Sequence, residues 1–337
     1  MERLKVGLCG CGGLGRVHAA NLAQMEDVDV VAVCDKRPEQ LVAKDVTINI
    51  STGAKAFDIT KCRTYTDFGT MLRKEKLDVL VTALPTDLHA KIAIKAMNNG
   101  ISVFTEKPMA LTSKQCTSMI AARDKNGVQF MVGQCLRFWP EYVALYNAIR
   151  DKTYGKLESL TMTRIAGYPS WSADSWFMNH ERSGAAILDM SLHDVDFAIH
   201  SLGKPTALTA GGFIGRTGGI DDVAAIWDYD GCMVSIRCSW KAQAFAMSFQ
   251  AFFETASMDF GMAPDPALRL RRAGATEDEK VQVESVTGYV RELQYFLDCV
   301  RGRHPNTVCS AESTRDSIAM IELERKAIKT HRWVKVG

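Results

Sequence analysis

Three short stretches of this chain carry residues whose types and spacing suit chemistry. The first is Gly10-Cys11-Gly12-Gly13-Leu14-Gly15, with an acid further on at Asp35. The second is Glu106-Lys107-Pro108. The third pairs Asp189 with His193 and continues to Asp196 and His200 at helical spacing. In the first, Gly10 permits a tight turn and Gly12, lacking a Cβ, lets a pyrophosphate approach the backbone. Gly15 lets the following helix pack closely. The free N–H groups at that helix start, with the positive end of its dipole, then face phosphates. Asp35 stands where a carboxylate accepts hydrogen bonds from the adenine ribose hydroxyls. The apolar run 4–9, the helical segment 16–22, the second run 28–34 and the acid fall in register, which favours dinucleotide binding over an ordinary glycine-rich turn. The charge of Asp35 repels a 2′-phosphate and favours NAD. Lys36 and Arg37 follow at once and keep NADP open.

Lys107 lies at the carboxyl end of an expected strand, the edge where open α/β sheets bind ligands. Near a cofactor cation and partly desolvated, an ammonium becomes a weaker base and handles protons near neutrality. Pro108 fixes the turn that aims it. Taken alone, the triplet also reads as a surface lysine at a strand end. Residues 184–201 form an expected helix whose apolar stripe is Leu188, Leu192, Val195, Ile199 and Leu202. Asp189 and His193 are one turn apart beside that stripe, where a carboxylate orients an imidazole for proton transfer with a hydroxyl. A solvated polar edge explains the same pattern equally well. The pair offers two metal ligands, but no third has convincing spacing, so no metal is expected.

These residues sit within an alternating pattern. Expected strands at 77–83, 101–105 and 128–133 are separated by helices at 88–98 and 112–125, and residues 38–47 look helical. Over about 135 residues this predicts an α/β domain with a doubly wound parallel sheet. From Arg137 the pattern changes. A helix at 141–150, a strand at 156–165 and a Trp-rich loop at 166–183 lead into helix 184–201. Alternating runs at 206–215, 222–229, 232–241, 245–254 and 256–260 predict a large, mostly antiparallel open sheet. Helices at 289–301 and 311–329 and a strand at 333–336 follow. The expected domains are 1–135 and 136–337.

Composition sets the bounds. The chain has 337 residues, 47% of them hydrophobic, and a net charge of +2 with acids and bases interspersed. That supplies two cores and gives no reason to expect a nucleic acid partner. No apolar run approaches the ~20 residues of a membrane span. The apolar N-terminal residues read as a first strand and not as a secretion signal. Ten cysteines are scattered without a CxxC, which reads as reduced thiols in a cytoplasmic protein.

The glycine turn, Glu106-Lys107-Pro108, and Gly184 followed by Asp189, His193 and Asp196 occur here together and in this order. With Leu84-Pro85-Thr86, His89 and the Arg137-Phe138 pair, the chain resembles the glucose–fructose oxidoreductase and inositol dehydrogenase family over essentially its whole length. The resemblance implies a Rossmann domain followed by an α/β domain whose open sheet joins subunits into a homo-oligomer. It implies that Lys107, Asp189 and His193 are catalytic. Gly10, Cys11, Gly12, Gly13, Leu14, Gly15, Asp35, Lys36, Leu84, Pro85, Thr86, His89, Glu106, Lys107 and Gln134 are expected at the cofactor. Lys107, Arg137, Trp176, Asp189 and His193 are expected at the substrate. Many relatives carry three glycines where this chain has Gly184-Ala185-Ala186.

Trp139, Trp171 and Trp176 suit the C–H faces of sugar rings, although a tryptophan filling an interface reads as well. The expected activity is NAD-dependent oxidation of a secondary hydroxyl of a sugar, inositol or cyclic polyol. Two rivals are an NADPH-using dihydrodiol dehydrogenase or carbonyl reductase of the same family, and a glycosidase that recycles bound NAD. A non-enzymatic regulator ranks last, because Lys107, Asp189 and His193 are all present.

Overall fold

The computed structural model describes residues 3–42, 57–261 and 266–337. The chain opens with β1 (Leu4–Cys9), α1 (Gly13–Leu22), β2 (Val28–Cys34), β3 (Arg63–Tyr65), α2 (Phe68–Lys74) and β4 (Val79–Thr82). It continues with α3 (Thr86–Met97), β5 (Ser102–Glu106), α4 (Ser113–Asn126) and β6 (Phe130–Gly133). These strands form one parallel sheet in the order β3-β2-β1-β4-β5-β6. Strands β4, β5 and β6 are buried throughout, because helices cover both faces of such a sheet. Helix α4 is punctuated at both ends. Thr112 and Gln115 form a capping box at the start of α4, and Gly127 ends it in the left-handed conformation at φ 62°.

The second part of the chain holds α5 (Pro140–Arg150), β7 (Leu157–Ile165), α6 (His180–Ser183), α7 (Ala185–Asp189) and α8 (Leu192–Leu202). Then come β8 (Ala207–Ile214), β9 (Ile220–Tyr229), β10 (Cys232–Ser239), β11 (Ala246–Phe253), β12 (Ala256–Gly261), β13 (Ala267–Arg272) and β14 (Glu279–Val281). The chain closes with α9 (Gly288–Val300), α10 (Ala311–Thr330) and β15 (Val334–Lys335). Nine strands form a sheet in the order β14-β13-β12-β11-β7-β10-β9-β8-β15, antiparallel except where β7 meets β10. Along β9 and β11 buried and open residues alternate, so one face packs and the other stays open.

The chain divides into two compact units. One is Met1–Cys135 with Thr287–Glu312, and the other is Leu136–Val286 with Ser313–Gly337. Residues 287–312, expected with the second domain, instead return to the first unit. There α9 packs on α1, β5 and β6.

Other differences are local. Strand β3 is too short, and β13 and β14 too rich in charge, for alternation to reveal them. The helix expected over 38–47 is a 3₁₀ turn at Pro38–Gln40, and residues beyond 42 lie outside the described set until 57. The helix expected over 184–201 is two helices. The N–H groups of Met190 and Ser191 both reach the Ala186 carbonyl, at 3.0 and 2.9 Å, and the extra residue breaks the turn. Ala185 adopts φ 65°. A Cβ is strained in that region, which favours glycine.

Two buried ion pairs hold α8. Arg164 of β7 forks onto Asp194, with both bonds 3.0 Å, and Arg137 forks onto Asp196, with both bonds 2.7 Å. Ser317 adds a 2.8 Å bond to Asp196. Breaking one side of such a pair leaves an uncompensated buried charge. Asp196→Ala is therefore expected to cost about 3–5 kcal/mol in urea unfolding. Replacing both partners, Arg137→Met with Asp196→Leu, is expected to recover most of that loss.

Candidate active site

The glycine turn closes as its spacing requires. Gly10 lies at φ 95°, and its N–H donates to the Cys34 carbonyl at 2.8 Å. A Cβ on Gly15 would stand 1.9 Å from the Gly10 carbonyl oxygen, so only glycine lets α1 start this close to β1. Gly12 differs: nothing lies within 4 Å of the place a Cβ would take. Its bareness keeps space open at the N-terminus of α1, where a phosphate binds. Gly13 is exposed, Leu14 half-buried and Cys11 fully buried.

Asp35 is 6% exposed and braces this turn. Its Oδ2 accepts the Cys11 N–H at 3.0 Å, and its Oδ1 accepts the Arg37 N–H at 3.0 Å and Arg37 Nε at 3.2 Å. Lys36 between them is exposed. Among the described residues, two buried polar groups just beyond β4 and β6 have no hydrogen-bond partner: the Thr86 hydroxyl and both amide atoms of Gln134. Buried polar atoms are rarely left unpaired. These two fit a polar ligand, and together with Gly12 and Asp35 they fit a dinucleotide.

The Glu106-Lys107-Pro108 turn is held from two sides. Glu106 Oε2 accepts the Lys107 N–H at 3.1 Å, and its Oε1 lies 2.5 Å from His18 Nε2. His89, expected at the cofactor, instead lies with Nδ1 2.7 Å from the Pro108 carbonyl and Nε2 2.8 Å from the Leu84 carbonyl. Burial holds its ring below the usual histidine range, against the pull of those two carbonyls. A neutral ring carries one N–H and donates to one carbonyl at a time. His89 thus ties the ends of β4 and β5 together. Leu84, Pro85 and Lys107 are half-buried, and the Lys107–Pro108 peptide is cis.

In the second unit, Asp189 ends α7 and His193 lies in the first turn of α8, both half-buried. Asp196 and His200, on the same expected stripe, do structural work. Asp196 belongs to the Arg137 pair. His200 stacks on Tyr146 with ring centroids 4.3 Å apart, and burial pushes its pKa down to about 4. Arg137, expected at the substrate, is buried and committed to Asp196 and Ser313. Trp176 stacks on Phe177 at 3.8 Å and is half-buried, while Trp171 is exposed and Trp139 buried. Arg325 donates to the Gly184 carbonyl at 2.9 Å and steadies the turn that leads into α7.

Sequence reasoning missed His18, Arg164, Asp194 and Glu292. Each had a signal: His18 follows Gly15 by one helical turn, Arg164 lies among inward-facing residues of β7, Asp194 is beside His193, and Glu292 interrupts the apolar face of α9.

The two glycines predict opposite phenotypes. Gly12→Ala is expected to fold with an unchanged melting temperature and to lose NAD affinity by about tenfold or more, because the methyl fills only ligand space. Gly15→Ala is expected to lower stability itself, by about 2 kcal/mol or more, because the methyl meets backbone. Calorimetry and NAD titration separate the two.

Comparison with known proteins agrees with this geometry. The sequence model described as "Oxidoreductase family, NAD-binding Rossmann fold" matches residues 4–134, and that for the GFO/IDH/MocA C-terminal domain matches residues 142–259. Inositol 2-dehydrogenase of Rhizobium meliloti is 29% identical over 72% of this chain and 67% of its own length. D-apiose dehydrogenase of Paraburkholderia graminis is 25% identical over 100% of this chain and 90% of its own. The solved levoglucosan dehydrogenase complex with NADH and L-sorbose superposes with a TM-score of 0.84 at 20% identity, covering 100% of both chains. The sheet orders, the glycine turn and both matches make this chain an NAD-binding oxidoreductase of the GFO/IDH/MocA family.

Proposed function

We propose that the enzyme is an NAD-dependent dehydrogenase that oxidises a secondary hydroxyl of a sugar, inositol or related cyclic polyol. The observation that carries this reading is Lys107, whose backbone is clamped at the carboxyl end of β5 between Glu106 and His89. Bound NAD supplies a hydride acceptor at C4 of its nicotinamide ring. The chain supplies the proton chemistry. His193 takes the proton of the substrate hydroxyl, and Asp189 orients the imidazole. Lys107 donates a hydrogen bond to the same oxygen and stabilises the charge that develops on it. Trp176 offers an aromatic face to the ring of the substrate. The names of the curated relatives, which act on inositol and apiose, support a polyol or sugar substrate.

Asp35 supports NAD, since its carboxylate stands where the adenine ribose is read. Arg37, held on Asp35, supports a second reading in which NADP(H) serves a dihydrodiol dehydrogenase or carbonyl reductase. A glycosidase that recycles NAD would keep its cofactor through purification and release no NADH. Among the described residues no helix is long and apolar enough to cross a membrane. Exposed Ile226, Met233 and Phe252 on the open sheet face support assembly into a homo-oligomer.

The first test is NADH absorbance with a panel of inositols, monosaccharides, anhydrosugars and dihydrodiols, repeated with NADP. A signal with a cyclic polyol and NAD is expected, and silence with every alcohol from protein that binds NAD would overturn the reading. Lys107→Ala is expected to reduce turnover by about a thousandfold or more while NAD affinity stays within a few-fold. Near-normal turnover in that variant would remove the lysine from the chemistry. Asp35→Ser is expected to raise the ratio of kcat/KM for NADP over NAD by about tenfold. An unchanged ratio would place the preference elsewhere.

A further inference from the structure

Beneath the Lys107 turn lies a cluster that the proposed chemistry does not use. His18 of α1, Glu106 of β5 and Glu292 of α9 are all buried, and one ligating atom of each lies within 4.8 Å of the others. Two of the three side chains are 0% exposed. Glu292 Oε1 and Oε2 and His18 Nδ1 have no hydrogen-bond partner among the described residues. The cluster sets two buried acids close together, an arrangement that is costly unless a proton reduces the charge.

Three such groups suggest a metal, but the distances read otherwise. A divalent ion holds nitrogen and oxygen ligands at about 2.0–2.2 Å, which sets neighbouring ligand atoms about 3 Å apart. His18 Nε2 and Glu106 Oε1 are 2.5 Å apart, a hydrogen-bond distance. The other oxygen of Glu106 is taken by the Lys107 N–H. The carboxylate of Glu106 is therefore the hub. It is gripped by a histidine on one side and grips the lysine backbone on the other. Gly133, its register partner on β6, leaves the room, since a Cβ there would stand 3.2 Å from Glu106 Oε1.

We infer that His18 and Glu292 are positioning residues for Lys107: His18 is hydrogen-bonded to the Glu106 carboxylate, which fixes the backbone carrying the lysine, and Glu292, buried beside that pair, keeps the carboxylate in place. Burial, with the charge of Glu106 beside it, pushes Glu292 well above the usual carboxylate range. The groups facing it are His18 from α1 and Glu106 from β5, while β6 presents only Phe130, Met131, Val132 and Gly133. A neutral Glu292 leaves one negative charge in the cluster. An ionised Glu292 would set two carboxylates against each other and displace the hub. The hydrogen bonds that fix Lys107 thus depend on a residue far along the chain, brought in by α9.

This inference rests on Lys107 being the catalytic lysine, so the test has one readout that needs no substrate. The rate at which acetic anhydride labels Lys107, measured by mass spectrometry with exposed Lys114 and Lys329 as internal references, reports the lysine's setting directly. Steady-state kcat and KM on the polyol found active report its use. In His18→Gln, Glu106→Gln and Glu292→Ala, the Lys107 labelling rate is expected to shift by about threefold or more relative to the references. In the same variants kcat is expected to fall by about tenfold or more, with KM for NAD and substrate within about threefold. Glu292→Gln, which keeps the shape of a protonated acid, is expected to regain most of what Glu292→Ala loses in both readouts. Labelling that is unchanged in all three variants would overturn the inference, even if the protein is a dehydrogenase. So would a Glu292→Gln variant as impaired as Glu292→Ala. Shifted labelling in a protein that oxidises no alcohol would leave the positioning intact and overturn the functional reading instead.

Discussion

The first unit turns on one close approach, that of Gly15 to the carbonyl of Gly10. A side chain there would collide with backbone, so the start of α1 presses against the end of β1 as no other residue would allow. Two consequences follow from the same contact. The start of α1 is left beside open space at Gly12, the kind of helix N-terminus whose N–H groups and dipole suit a pyrophosphate. One turn later the helix delivers His18 to Glu106 at the end of β5. A helix standing further from the sheet would lose the phosphate site and the support beneath Lys107 together. The glycine turn and the Lys107 turn, distant in sequence, are therefore set by one steric constraint.

The second unit depends on buried charge. Asp194 and Asp196 follow His193 along α8, and each is forked by an arginine from a different part of the chain. Buried pairs of this kind add little net stability, because desolvation offsets the attraction. Their effect is on geometry. A planar guanidinium forked on a carboxylate fixes both orientation and distance. Two such forks leave α8, which carries His193 in its first turn, little freedom to rotate. The break before α8 has the same result: it ends α7 at Asp189 and restarts the helix in a register of its own.

Much of this was legible in the sequence, and the exceptions share a cause. The parallel strands announced themselves as apolar runs closed by glycine, and the glycine turn by its spacing. The open sheet was visible as alternation. What stayed hidden depends on contacts between residues far apart in sequence. Nothing near residue 292 indicates that α9 returns to the first unit, since its amphipathic face suits either core. Nothing near Asp196 distinguishes a solvated edge from a buried partner for Arg137. His89 was placed at the cofactor by its neighbours, whereas the structure gives its ring two carbonyls to bridge. The break between α7 and α8 was hidden because Met190 and Ser191 are unremarkable helix residues. Only the doubled hydrogen bonding onto Ala186 reveals the extra residue.

Asp35 shows how tightly structure and recognition are joined at this site. A carboxylate offers about four acceptor positions. Here Cys11 N–H takes one and Arg37 N–H another, while Arg37 Nε at 3.2 Å and Nη2 at 3.5 Å take the rest. The two backbone bonds hold the turn and are bound to the fold. The two side-chain bonds are longer and belong to a partly exposed arginine. Ribose hydroxyls that bind Asp35 must take the places of the arginine, not of the backbone. Arg37 is then a free cation beside the ribose at the moment the cofactor is read. The acid that disfavours a 2′-phosphate and the base that would welcome one are thus two states of a single pair. On the proposed placement of the ribose at Asp35, cofactor preference would follow from the competition between them and not from Asp35 alone.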